Sequence, residues 1–372
     1  MSNRNRFIKV TGALLAGAFA LTGCAEAADV TPATMDMNVM TSETSASAAE
    51  SSADTTETTE TTETTAKQEP FTYDPRPYSS IVAIEIPQDY WDSLYNMIDA
   101  VRAGKDTFEC SSKEAYKWCM DSSYVSNYLP AACLMISDVS DDGSKPYADG
   151  TGRIYYKIPA EEMVAREADF EKKIEEVLNA TIEKDDTEFE KCLKLYDYME
   201  SNYTYRYESS ESAHLNKEGY IYTTFMSHTG QCIDLSGVYA FLLRQAGVDA
   251  IPVGCHDSVD HEWTYVIVNG RGYYIDPTWA LKADHGTDDL NLNYFMMTSD
   301  IRRITGCPVD NLVVQLIPEY WINKTKVKLV ADDDRYYLGE DAVFDSLDEE
   351  NKILYYHDGE GAKRELKYGE LG

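Results

Sequence analysis

The stretch His261-Glu262-Trp263-Thr264-Tyr265-Val266-Ile267-Val268-Asn269-Gly270-Arg271-Gly272-Tyr273-Tyr274-Ile275-Asp276 decides how the second half of this chain folds. Its two flanks are rich in β-branched and aromatic residues, and the Asn-Gly between them is a strong hairpin signal. With Asn269 and Gly270 as the only loop residues, Val268 pairs with Arg271 and Asp276 falls opposite Trp263. His261 then lies two residues off on the same face, a diagonal neighbour at roughly 7–8 Å between Cα atoms and within side-chain reach. A four-residue loop from Asn269 to Gly272 would set Asp276 opposite Tyr265 instead. That register keeps the face but puts His261 and Asp276 out of reach unless a bulge or strong twist intervenes.

Upstream of the hairpin, Thr229-Gly230-Gln231-Cys232 opens a helix. Leu235, Val238, Tyr239, Leu242, Leu243 and Ala246 recur at helical spacing, and Gly247 ends the run. Ala250 to Gly254 reads as a buried strand. A thiol is a useful nucleophile only as thiolate, and a helix N-terminus and a nearby imidazole both favour that form. A carboxylate behind the imidazole fixes its tautomer and stabilises its charge. Cys232, His261 and Asp276 stand in the right order for these three parts. Taken singly, they read as a buried structural thiol, a core histidine and a turn residue before Pro277.

The segments Gly230-Gln231-Cys232, Leu242 to Val248, His261 to Val266 and Tyr274-Ile275-Asp276-Pro277-Thr278-Trp279 resemble the transglutaminase-like superfamily. The resemblance spans about residues 186 to 300. It implies an α+β, papain-like core with a nucleophile helix packed on an antiparallel sheet. By position it makes Cys232 the nucleophile, His261 the general base and acid, and Asp276 the orienter. Glu262 departs from the pattern, where a small residue is common. The backbone N–H of Cys232 is the natural first oxyanion donor. The second stays open among Gln231, His228, Tyr205 and Tyr203. Trp263 and Trp279 wall the cleft or fill the core behind it. No cofactor is expected. A zinc site using Cys255, His256 and His261 with Cys232 lacks a paired Cys-x-x-Cys or a matching second cluster.

The expected organisation has five parts. Residues 1–24 are a leader, with Arg4, Arg6 and Lys9 before a short apolar run. It ends in Leu21-Thr22-Gly23-Cys24, similar to a bacterial lipobox, with Cys24 the lipidated residue; the alternative is an ordinary signal cut near Ala25 to Ala28. Residues 25–70 are a Ser/Thr/Glu-rich tether unable to bury a core. Residues 71–160 are a small α+β module, with a strand at Ile81 to Ile86, a helix carrying Tyr90, Leu94, Met97, Ile98 and Val101, and a helix at Lys113 to Met120. Strands are expected there at Ala131 to Ile136 and Arg153 to Ile158. Residues 161–305 are the transglutaminase-like domain, entered by helices starting at Pro159 and near Asp186. Tyr294 to Met297 forms a short strand near its end. Residues 306–372 are a β-rich extension, with strands at Val313 to Ile317, Lys326 to Val330 and Ile353 to Tyr356.

The formal charge of −32 makes nucleic acid an improbable partner. Apart from Cys24 there are seven cysteines, an odd number that forms no dense framework, and a Cys110–Cys133 or Cys119–Cys133 bridge stays open. The expected function is a lipid-anchored, extracytoplasmic acyl-transfer enzyme acting on protein or peptide amides. The rival is an envelope protein that binds peptide or glycan in the same cleft without turnover.

Overall fold

Asn269 and Gly270 both take positive φ, 49° and 70°, the pair that a two-residue type I′ turn demands. The hairpin therefore closes tightly, with Arg271 opposite Val268 and Ile275 opposite Thr264. This computed structural model describes residues 69–140, 143–207, 220–255, 259–286, 288–314, 316–317 and 322–371. Strand Ala250–Cys255 pairs antiparallel with the far edge of His261–Val268, setting Cys255 opposite His261. The result is a three-stranded antiparallel sheet with His261–Val268 in the centre.

Helix Cys232–Gln245 packs against this sheet. Gln231 precedes it in an extended conformation, and its N–H donates to the Asp234 carboxylate at 3.0 Å. Every residue from Asp234 to Gln245 is buried, as expected for a helix apolar on more than one side. Thr264 Oγ1 donates to the Ser236 carbonyl at 3.1 Å, and Tyr239 donates to the Cys192 carbonyl at 2.8 Å. These bonds tie the helix to the sheet on one side and to helix Glu188–Asn202 on another. Gly247, at φ +85°, ends the helix without steric cost.

Two long helices lead into this core. Ala160–Thr181 follows Pro159, and Glu188–Asn202 follows a capping box in which Thr187 and Glu190 exchange side-chain and backbone bonds. Asp186 stays outside the second helix because its carboxylate accepts from the Glu183 N–H and from Lys194.

Several expected strands do not form as read. Ile81 to Ile86 contains a helical turn, Ser80–Ala83. Val82 and Ile86, four apart, are buried while Ile84 is 58% exposed, which is helical and not alternating spacing. The Asp249 carboxylate holds both Ser79 and Ser80. Ala131 sits in a 3-10 turn, Pro130–Ala132, and its carbonyl accepts from Arg166; only Ile136–Ser137 pairs, with Tyr155–Tyr156. Thr151–Arg153 turns instead to Thr107–Glu109, so the expected strand from Arg153 onward is split between two partners. Met297 makes a single bridge to Tyr274 and Val313 a single bridge to Gly254. Lys326 to Val330 joins no ladder among the described residues; its Lys326 N–H donates to the Glu85 carboxylate and Val330 bonds the Tyr265 hydroxyl. The two helices expected in the N-terminal region do form, as Gln88–Arg102 and Lys113–Cys119.

At the C-terminus, strands Val343–Asp348, Ile353–His357 and Lys363–Lys367 form an antiparallel meander. It is fastened through Glu190, whose buried carboxylate accepts from Lys352 at 2.8 Å and from the Tyr368 hydroxyl at 2.6 Å. On the N-terminal side, Arg244 donates to the Ala250 and Asn127 carbonyls at 2.8 and 2.9 Å. One apolar cluster runs from Phe71 to Tyr368. The seven cysteines from Cys110 to Cys307 are free thiols, so neither bridge considered for Cys133 forms.

Candidate active site

Cys232 is the first residue of its helix and is half-exposed, unlike the other six described cysteines, which are buried. The unpaired N–H groups of that helix end favour negative charge nearby. A two-residue parallel pairing sets Tyr205 against Gly230, and the Arg206 N–H donates to the Gly230 carbonyl at 2.9 Å. A Cβ at Gly230 would stand 2.7 Å from Thr224, so only glycine permits this close approach. The pairing brings Tyr205 beside Cys232, and the two interact electrostatically. Burial first, and Cys232 second, push the phenol up to about 12, so it remains a proton donor at neutral pH.

His261 is buried, and its Nε2 faces Asp276 Oδ2 at 2.7 Å. Nδ1 is thus the ring nitrogen not held by Asp276, and Cys232 interacts electrostatically with this imidazole. Burial alone would lower the histidine. The Asp276 charge and hydrogen bond, with Cys232 adding to them, outweigh it and lift His261 to about 9. Its ring stacks on Trp279, with centroids 4.4 Å apart.

Asp276 lies one step past the last ladder pair and is fully buried. Its Oδ1 accepts the backbone N–H groups of Thr278 and Trp279 at 3.0 and 3.3 Å. Its Oδ2 is shared between His261 and Arg302 Nη2, which donates at 2.7 Å. Burial works to raise this carboxyl, but His261 and Arg302 together hold it below the ordinary value.

The other candidates are placed differently. Trp263 is wholly buried and stands behind His261, its indole meeting Tyr274 edge-on. Trp279 is half-buried and bears on the imidazole directly. His228 is exposed and stacks on Tyr203 at 4.8 Å. Tyr203 is itself buried. Gln231 is the N-cap, with its backbone committed to Asp234. Cys24 and His256 lie outside the described residues. Among the described residues no cluster of three metal-ligating groups occurs. Arg302 belongs to none of the sequence motifs. It comes from helix Ser299–Ile304, and nothing in Arg302-Arg303 tells which of the two turns inward.

Residues 175–287 match the family model described as the transglutaminase-like superfamily, a span that contains Cys232, His261 and Asp276. No curated protein matches the chain. Two solved structures are similar to parts of it. One, described as a candidate cysteine protease from Cytophaga hutchinsonii, is 18% identical over 25% of this chain and 32% of its own, with a TM-score of 0.21. The other, described as a candidate protease from Parabacteroides distasonis, is 15% identical over 37% of this chain and 35% of its own, with a TM-score of 0.22. The chain thus spans about a third of the length of each.

Proposed function

We propose, proceeding from the transglutaminase-like domain that residues 175–287 form, that this protein is a thiol acyl-transfer enzyme acting on peptide or protein amides. The observation that carries the reading is the imidazole of His261, held at Nε2 by Asp276 and interacting electrostatically with Cys232. In the first step the Cys232 thiol gives its proton to His261 Nδ1, its sulfur attacks the amide carbonyl carbon, and an S–C bond forms. The resulting oxyanion takes hydrogen bonds from the Cys232 N–H and the Tyr205 hydroxyl. His261 gives the Nδ1 proton to the leaving nitrogen, the C–N bond breaks and the amine departs, leaving a thioester. His261, now neutral, takes a proton from water as the water oxygen attacks the thioester. The acid is released and the thiol is restored. Hydrolysis is favoured over amine transfer because no pattern in the sequence reads as a dedicated amine site.

The same proposal places the enzyme outside the cytoplasm, held to a bacterial membrane through lipidated Cys24 and the tether of residues 25–70. Fatty-acid labelling of the full chain and of Cys24→Ala tests this anchor; label retained by the variant would remove it.

The test of the chemistry is labelling with an electrophilic peptide probe, the modified residue being mapped by mass spectrometry. Cys232 should be labelled ahead of the other cysteines, at a rate that depends on His261. A Cys232→Ser protein with full amide-cleaving activity would end this reading. A Cys232 thiol of ordinary reactivity would favour the non-catalytic binding protein.

A further inference from the structure

Arg302 is wholly buried, yet it sits in the middle of the site's charge network. Its Nη2 donates to Asp276 Oδ2, the same oxygen that faces His261. Its guanidinium stands over Trp263 at 4.2 Å and over Trp279 at 4.6 Å from the ring centroids. The other titratable groups acting on the Asp276–His261–Arg302 cluster include Cys232, Tyr196, Tyr274, Tyr294 and Cys307. Burial raises all three tyrosines and pushes Cys307 up to about 11, so these four stay neutral at neutral pH. Among the described residues, Arg302 therefore supplies the one positive charge in this cluster that does not come and go with the proton on His261.

We propose that Arg302 is a positioning residue for the acyl-transfer step, a fixed counter-charge that keeps Asp276 ionised after His261 has given its proton away. This rests on the Cys-His-Asp reading above. While His261 is protonated, Asp276 has a cation on Oδ2 with or without Arg302. Once the proton moves to the leaving amine, imidazole is neutral and the buried carboxylate would stand alone, which is a costly state. Arg302 offsets that charge in both halves of the cycle. Without it, the Asp276–His261 pair would hold the proton more tightly. His261 would then be a stronger base and a more reluctant acid. Uncharged substitutes cannot perform this role, whereas lysine keeps the charge while losing the planar fork.

The test follows Cys232 alkylation by iodoacetamide against pH in the full chain, with the Cys232 peptide quantified by mass spectrometry. Arg302→Met, Arg302→Gln and Arg302→Lys are compared with the unmodified protein. The upper limb of the profile reports loss of the imidazolium proton. It should move upward by about one pH unit in the Met and Gln variants, the lower end of the effect of a charge at this range. It should stay near its original position in Arg302→Lys. Gln retains a donor for Asp276 and guards against a failure to fold in the Met variant. A folded Gln or Met protein, by near-ultraviolet circular dichroism, whose upper limb does not move or moves downward would overturn the proposal and leave Arg302 a packing residue. His261→Ala separates the two readings. If it leaves Cys232 alkylation unchanged, the Cys-His-Asp reading fails and this one with it. If it slows alkylation while the Arg302 variants change nothing, only the role given to Arg302 fails.

Discussion

The imidazole of His261 lies flat against the indole of Trp279, with ring centroids 4.4 Å apart and planes within 7°. The stack is a product of the turn after the hairpin. Asp276 Oδ1 gathers the N–H groups of Thr278 and Trp279, and this folds the chain back over the carboxylate it has just left. One residue thus binds the imidazole edge while a neighbour three positions on covers its face. Between them, rotation about both side-chain torsions of His261 is restricted.

Trp279→Ala should therefore loosen the ring that Asp276 alone would still hold by its edge. The His261-dependent labelling of Cys232 is expected to slow by about tenfold, the effect of a small displacement of an aligned group. Trp279→Phe, which keeps an aromatic face, should retain most of the rate. Equal rates in the Ala and Phe variants would mean that the stack does not orient the imidazole.

Asp276→Asn should keep the fold and lose the chemistry. The amide NH₂ can donate to Nε2, which leaves Nδ1 protonated toward Cys232 and unable to act as base. A loss of roughly 10²- to 10⁴-fold in peptide-probe labelling is expected, the scale seen when a triad carboxylate is neutralised. Circular dichroism should be unchanged.

Glu167 predicts how stability depends on pH. It is buried on helix Ala160–Thr181, and both carboxyl oxygens lack a hydrogen-bond partner among the described residues. Burial, with Glu171 adding to it, lifts the carboxyl from 4.5 to about 8. The folded form therefore binds a proton that the unfolded chain has released, and stability falls as pH rises from about 4.5 to about 8. The amount is on the order of a few kcal/mol, given one unit per about 1.4 kcal/mol. Glu167→Met should remove this slope and be the more stable protein at pH 8.5, as read from urea midpoints at pH 5 and 8.5. Parallel profiles for the two proteins would contradict it.

Glu190 works in the opposite sense. Burial raises its carboxyl, but Lys352, Tyr368 and Thr187 outweigh burial and hold it below the ordinary value. Its contribution is present above the unfolded carboxylate range and is lost as pH falls below that range through the lowered folded value. Glu190→Ala should cost about 3 kcal/mol at pH 7, since it strips the buried anchor of the C-terminal meander. The gap from the unmodified protein should narrow toward pH 4, measured by thermal denaturation at both values.

The short-range parts of this protein were legible in its residues. Asn269-Gly270 forces positive φ at two consecutive positions, and that one turn puts His261 and Asp276 in register without reference to the rest of the chain. Gly247 ends its helix in the same local way. Ile81 to Ile86 misled because its β-branched composition suits a strand, while Asp249 and the core around Val82 favour a helical turn.

Residue order and local propensity were enough to determine the hairpin and the helix that begins at Cys232, and the motifs around Cys232, His261 and Asp276 carried the resemblance of about residues 186 to 300 to the transglutaminase-like superfamily. Only the tertiary structure decided that Arg302 and not Arg303 lies under Asp276, and that Tyr205 lies beside Cys232 while His228 turns to Tyr203. The reason is physical. Turns and caps are settled by backbone sterics within a few residues, whereas the partner of a buried charge is chosen by which distant segment can fill the same space and neutralise it.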